Sequence, residues 1–319
     1  MSEFDLIKRY FTRLTPSAIL GVGDDAALLR TTAGMELVVS ADMLVSGTHF
    51  LPDADPFLLG HKTLAVNLSD LAAMGAVPRW AILALSLPTA DEKWLERFSA
   101  GFFALAGEHG VELVGGDTTR GPLNLCVTIM GEVPEGKALR RSGAQVGDDI
   151  WVSGKLGEAA LGLAHLQGKI ALPENVRTSC LASLHQPQPR IALGLALRGV
   201  ANSAIDISDG LLADLGHILE CSNVAAEIRY DRLPMSSLFA SCGDGMLELA
   251  QRCVLAGGDD YELCFTAPAA RRDQIEMLAS ALRLPLSRIG KIVSGRGCKV
   301  RAEGGSVITR KEIGYDHFA

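Results

Sequence analysis

The chain is 319 residues long, 48% hydrophobic and 21% charged, with 34 glycines, few aromatics and a formal net charge of −7. That length accommodates two domains of about 150 residues, and the composition is that of a globular protein with a substantial core. The acidic balance argues against a nucleic-acid partner, which ordinarily meets a basic face, while polyphosphates stay accessible if metal ions intervene.

Apolar spacing predicts the elements in chain order. Residues 37–40 read as a strand leading to Asp42. Residues 56–74 have helical spacing, with Leu58, Leu59, Leu64, Leu68 and Leu71 apolar and Gly75 at the end. A strand over 79–87 closes at Pro88, and 91–108 is an amphipathic helix with Trp94, Leu95, Phe98, Phe102, Phe103 and Leu105 as its buried stripe. A strand over 111–114 runs into Gly115-Gly116-Asp117, and 124–131 alternates as the next strand. The Gly-, Arg- and Lys-rich stretch 134–147 marks a boundary, giving domains 1–136 and 137–319.

Beyond the boundary, Asp148-Asp149 reads as a turn before a strand over 150–153. A helix over 157–167 follows, then a partly helical insertion over 173–189. A short strand at 205–208 precedes a helix over 210–220, in which Asp214, His217 and Glu220 fall on the polar side. Residues 254–258 lead into Asp259-Asp260, a strand over 261–266, a helix over 271–282 and a final strand over 288–293. The fold class is α+β, with two domains of mixed or antiparallel sheets, because the spacings leave little room for a uniform βαβ series.

Seven cysteines at 126, 180, 221, 242, 253, 264 and 298 include no CxxC pair, and most sit in apolar runs. They read as small buried hydrophobes in a reducing cytoplasm. The first 13 residues mix acids and bases, unlike a signal segment, and the most apolar run, 80–87, is too short for the roughly 20 residues of a membrane span.

Aspartates recur at the ends of strand-like runs. Carboxylates held together there are costly unless a cation joins them, and oxygen-only ligand sets suit magnesium or manganese. Gly21-Val22-Gly23-Asp24-Asp25 is by itself a flexible turn of low specificity. Asn67 and Asp70 share a helix face, where Asp70 reads equally as a ligand or a surface acid. Gly115 to Arg120 is stronger: two glycines let the backbone approach a phosphate, Asp117 can hold a metal, and the hydroxyls and Arg120 can bind anionic oxygens. Asp206-Ile207-Ser208-Asp209-Gly210 is the most specific. Strand alternation puts Asp206 and Ser208 on one face, Asp209 caps the following helix, and the helix start offers N–H groups to a phosphate. No P-loop, kinase catalytic loop, Gly-x-Ser-x-Gly elbow or zinc-binding His-Glu-x-x-His helix is present.

Taken in order, residues 21–27, Ser40-Ala41-Asp42, 67–75, 115–120, 206–210, 257–263 and the tail 314–318 resemble the thiamine-monophosphate kinase family, within the superfamily of aminoimidazole ribonucleotide synthetase. The resemblance covers essentially the whole chain. It implies two α/β-sandwich domains of that type, sheets flanked by helices. It also implies ATP-dependent phosphorylation of thiamine monophosphate, magnesium (or manganese) as cofactor, and a homodimer whose amino-terminal domains pair their sheets. Carried over position by position, Asp25, Ser40, Ala41, Asp42, Asp70, Asp117, Asp206 and Asp209 look like metal ligands. Gly116, Asp117, Arg141 and Ser208 look like ATP contacts, and His49, Asp259 and Tyr315 like substrate contacts. Domain 1–136 is then the ATP/metal-binding and dimerising half, and 137–319 completes the nucleotide and substrate site. Ala41 stands where the family often has Thr, Asp259 where Glu is common, and His109 precedes Val111 without an adenine-stacking tyrosine.

The acceptor implied is a phosphate monoester of about −1.5 to −2 charge. Two such groups at ~4 Å repel by roughly 16 kcal/mol at an effective dielectric of ~20. Several divalent ions would offset that better than one lysine, which makes direct in-line transfer without a general base or covalent intermediate the expected mechanism. Within 134–147, Arg140 and Arg141 mark the expected closing loop.

Overall fold

The computed structural model describes residues 2–235, 247–309, 313–315 and 317–318. Cys242 and Asp316 lie outside the described residues. The chain divides into two compact units, Met1–Leu71 with Ala76–Gly136, and Ala72–Gly75 with Lys137–Ala319.

The first unit begins with a short helix α1 (Glu3–Leu6) and a π-helical turn. Its sheet contains β1 (Met35–Val45), β2 (Val77–Leu87), β3 (Glu112–Arg120) and β4 (Asn124–Pro134) in the order β1-β4-β2-β3. The β1–β4 and β4–β2 pairs are antiparallel and the β2–β3 pair is parallel. Two helices, α2 (Pro56–Ala73) and α3 (Glu92–His109), supply the apolar layer. Gly60 and Gly101 let them touch: a Cβ on Gly60 would lie 2.1 Å from the Phe98 carbonyl oxygen, and one on Gly101 would lie 1.9 Å from that of Phe57. Trp94, Phe98 and Phe102 stack along α3, and Leu64, Leu68, Leu71, Phe98 and Phe102 are fully buried. Each such side chain stabilises the fold by about 1.5–3 kcal/mol. The Asp91 carboxylate caps α3 through the Lys93 and Trp94 amides, and left-handed Gly110 ends it.

The second unit contains a sheet of seven strands in the order β11-β10-β7-β9-β5-β8-β6. They are β5 (Asp149–Ser153), β6 (Ser203–Ile207), β7 (Ala225–Arg229), β8 (Glu262–Ala267), β9 (Leu286–Val293), β10 (Gly297–Arg301) and β11 (Val307–Ile308). Among the described strands of this sheet, only β7 and β10 pair in parallel. The unit's described α-helices are α4 (Glu158–Leu166), α5 (Glu174–His185), α6 (Ile191–Leu197), α7 (Leu211–Ser222), α8 (Leu247–Ala256) and α9 (Arg272–Leu282). Every residue of β5, β6 and β8 is buried, which gives continuous runs where a half-exposed sheet would alternate.

Most predicted elements are present, and the mixed-sheet α+β class is observed. Several expectations change. The strand predicted over 111–114 continues as β3 to Arg120, so Gly115-Gly116-Asp117 lies within the strand. β7, β10, β11, α6 and α8 have no counterpart in the sequence reading, and 288–293 is not the last strand. Asp148-Asp149 is no solvated turn: both residues are buried. Asp148 accepts from the Gln145 amide and Asn202, and Asp149 accepts two bonds from Arg272 at 2.5 and 2.9 Å. Among the described cysteines, Cys180, Cys253 and Cys264 are buried, Cys126 and Cys298 half-buried, and Cys221 exposed. Among the described residues, no helix is long and apolar enough to cross a membrane.

Candidate active site

In the first unit, alternation along β1 sends Ser40 and Asp42 to the α2 side and Ala41 to the opposite, exposed side. The Ser40 hydroxyl donates to Asp70 Oδ2 at 2.5 Å, and the Asp42 amide donates to Asn67 Oδ1 at 3.1 Å. Asn67 is buried and donates in turn to the Thr63 carbonyl. The shared α2 face of Asn67 and Asp70 therefore meets β1, which favours a partnered Asp70 over a plain surface acid. Past the strand, the Val45 amide donates to His49 Nδ1 at 3.0 Å, so the neutral ring carries its proton on Nε2.

A second grouping lies at β3. A cavity of about 820 Å³ is lined by Gly21 to Ala27 and Gly115 to Thr118, with Phe4, Ile7 and Phe11 among its apolar walls. Asp25 and Asp117 both face it, so the Gly-x-Gly-Asp-Asp turn and the Gly-Gly-Asp strand are brought together. Gly116 has another reason to be glycine than approach to a phosphate. A Cβ there would lie 2.0 Å from the Leu83 carbonyl oxygen of β2, whereas one on Gly115 would meet open space.

In the second unit, antiparallel pairing sets the end of β6 beside the start of β8, with Asp206 opposite Leu263. The loops leaving these strand ends must meet. Asp206 is buried at the end of β6, and Ser208 and Asp209 follow it in the loop to α7. The Tyr261 amide donates to the Ile207 carbonyl, the Asp259 amide to that of Ser208, and the Tyr315 amide to that of Asp209, at 2.8, 2.8 and 3.0 Å. Asp259 and Tyr261 hold left-handed φ of 68° and 48°, conformations that non-glycine residues keep only when their surroundings over-determine them. The intervening Asp260 accepts the Gly157 amide. Burial pushes its carboxyl well above the ordinary carboxylate range against that bond, with Glu262, Asp259 and Glu158 adding to the push. Glu262 is itself held by a bidentate Arg190 ion pair and the Ser153 hydroxyl.

Asp209 does not cap α7. The N-cap is Gly210, at φ 128°, with no side-chain cap. The capping carboxylate belongs to Asp214, whose Oδ2 accepts the Ser208, Asp209 and Gly210 amides at 3.1, 3.1 and 3.0 Å. These amides lie at and before the N-cap, so the N–H groups within the first turn of α7 are not the ones Asp214 takes. Asp214 is also buried and not on the polar side with His217. Burial pushes its carboxyl up to about 7 in spite of the amide bonds, and nearby Asp209 adds to the rise. Helical spacing concealed it: i+4 from Gly210 looks like any solvated helix acid. The signal was an aspartate one turn into a helix whose N-cap has no side chain.

Arg141 is exposed on a loop tied at several points. The Arg140 carbonyl accepts the Ala204 amide, and Ser222 Oγ accepts the Gly143 and Ala144 amides while donating to the Arg141 carbonyl. That anchoring disfavours 134–147 as a freely closing loop. Among the described residues, no three His, Cys, Asp or Glu side chains gather into a ready-made metal site. The carboxylates stand as pairs and rows. That suits magnesium, which is ordinarily held through one or two carboxylates together with substrate phosphates and water.

A family model for the amino-terminal domain of AIR synthase related proteins matches residues 23–133. The thiamine-monophosphate kinase of Salmonella typhimurium is 47% identical over 99% of this chain and 98% of its own. The crystal structure of the thiamine-monophosphate kinase from Stenotrophomonas maltophilia is 52% identical, with a TM-score of 0.83 over 95% of this chain and 96% of that one. A solved structure of AaThiL complexed with AMPPCP and TMP is 30% identical, with a TM-score of 0.77 over 98% and 96%.

Proposed function

We propose that this chain, which belongs to the thiamine-monophosphate kinase family, transfers the γ-phosphoryl group of ATP to thiamine monophosphate in the cytoplasm, giving thiamine diphosphate and ADP. One observation carries the reading. Carboxylates and small hydroxyls recur together in both units (Ser40 with Asp70 between β1 and α2, Asp25 and Asp117 on one cavity, Asp206 before Ser208 and Asp209 at the end of β6) in a chain whose full-length relatives bear that activity in their names.

This donor set fits magnesium, since every candidate ligand is a hard oxygen. Asp25, Ser40, the Ala41 carbonyl, Asp42, Asp70 and Asp117 in the first unit, and Asp206 and Asp209 in the second, would hold it. Bound there, magnesium would supply charge neutralisation and polarisation of phosphoryl oxygens. Gly116, Asp117, Arg141 and Ser208 are the proposed ATP contacts, and His49, Asp259 and Tyr315 the proposed substrate contacts. In the transfer, an anionic oxygen of thiamine monophosphate forms the new bond to the γ-phosphorus. The bond to the bridging oxygen breaks, and its electron pair leaves with ADP. The attacking oxygen is already ionised near pH 7, so no side chain has to remove a proton. The chain's contribution is positioning.

ADP release that requires thiamine monophosphate is the expected result of a coupled assay. ATP turnover indifferent to that acceptor would overturn the reading, and recovery of a phosphorylated protein would overturn direct transfer.

The same reading includes a homodimer formed through the first unit. β1 is an edge strand whose outward row, Leu37, Val39 and Met43, is 46%, 54% and 53% exposed. An apolar edge of this kind invites a partner strand. Sedimentation at micromolar concentration should give one species of twice the chain mass, and a monomer would refute the pairing.

A further inference from the structure

The loop Asp206–Gly210 carries three of the residues assigned to metal and nucleotide, yet its side chains do not explain its shape. An ordinary helix cap is the side chain of the N-cap residue reaching the second or third amide of the helix. In a capping box the third helical residue also reaches back to the N-cap amide. Neither device operates here. The N-cap is Gly210, required because a Cβ would fall 2.8 Å from the Ala256 carbonyl carbon. The acceptor is the fourth helical residue, Asp214, and two of its three donors, the Ser208 and Asp209 amides, precede the helix altogether. One buried oxygen thus gathers three successive N–H groups of the loop and not those of the helix. The loop's carbonyls are taken from the other side by the Asp259, Tyr261 and Tyr315 amides.

We infer that Asp214 is a positioning residue for the phosphoryl transfer: the placement of its Oδ2, rather than its charge, sets the orientation in which Ser208 and Asp209 are presented. The inference rests on the kinase reading above. It makes a prediction that a general electrostatic or stabilising role does not make. Asp214→Asn keeps an acceptor oxygen at the same distance from the backbone and removes the charge. Asp214→Glu keeps the charge and displaces the oxygen by one methylene.

Three measurements test this on the full chain. In the ligand-free protein, hydrogen exchange of the 208–210 amides should stay within about threefold of wild type in Asp214→Asn and rise at least tenfold in Asp214→Glu. The half-saturating magnesium concentration for ADP release should follow the same order, near wild type for Asn and raised at least tenfold for Glu. Calorimetric affinity for a non-hydrolysable ATP analogue with magnesium should do likewise. Three outcomes overturn the proposal: both variants behaving as wild type, both impaired alike, or Asn more impaired than Glu. Folding of each variant is read from its thermal transition, and an Asn variant that does not fold counts against the proposal. A wild-type protein that ignores thiamine monophosphate would instead refute the kinase reading, while the exchange comparison would still report on the loop.

Discussion

The acids of the two units are held in different ways. In the first unit, Asp25 and Asp117 face a cavity, the Asp70 carboxylate accepts from the Ser40 hydroxyl, and Asp42 is tied to Asn67 through its backbone amide. In the second, Asp206, Asp214 and Glu262 are buried, and the loop between β6 and α7 is bonded on its amides and carbonyls alike. On the proposed function, the first arrangement would let an arriving cation and phosphate complete the ligand sphere. The second builds a fixed backbone that presents Ser208 and Asp209 at set positions. That difference tells which substitutions should act on chemistry and which on folding.

The sharpest way to break that contrast is at the buried ion pair of the second unit. Arg190→Ala strands the buried Glu262 carboxylate and should lower stability by about 3–5 kcal/mol in chemical denaturation; a change below ~1 kcal/mol would show the pair to be dispensable. Next come Asp42→Asn and Asp206→Asn, one in each unit. Each should lower turnover by at least about a hundredfold while leaving the thermal transition near wild type, a size common for lost transition-state electrostatics. A near-normal rate at saturating magnesium would remove that residue from the site.

The first unit also contains a buried acid with a purely structural task, and it yields the pH test. Glu132 is buried. Burial alone would raise its carboxyl, but the Thr32 amide and hydroxyl and the Arg79 guanidinium bring it below the ordinary value of 4.5. A depressed carboxyl contributes stability above its unfolded pKa and loses it as pH falls through the folded one. Glu132→Gln should therefore cost about 2 kcal/mol at neutral pH, and the gap to wild type should narrow below pH 4.5. A gap that persists unchanged in acid would mean the charge contributes nothing. The smallest expected effect is Ser40→Ala, which removes one hydroxyl donor from Asp70 and should raise half-saturating magnesium about tenfold. An unchanged magnesium curve would confine that hydroxyl to packing.

Much of this molecule was legible beforehand, and the failures have a common cause. Long elements such as α2 and α3 follow from apolar period: α3 buries one face, and α2 is buried on almost every side from Leu59 to Ala73. In the second unit β7, β10 and β11 are only five, five and two residues long, too short to carry a readable period, and so escape a periodic reading. Asp209 was read as the cap because it stands next to the helix, but the helix's fourth residue does that work from inside. Asp148 and Asp149 looked like a turn because their partners Asn202, Arg272 and Arg288 are distant in sequence.

Residue type and local spacing alone determined the α+β class, the resemblance to one kinase family and which acids were worth attention, because those depend on chemistry carried within a few residues. Tertiary structure decided how each acid is held: Ser40 against Asp70 across a strand–helix contact, Asp25 and Asp117 on the wall of one cavity, and three loop amides on Asp214. Those relations rest on sheet register and burial. They bring together groups far apart in the chain, and no local pattern encodes such distances.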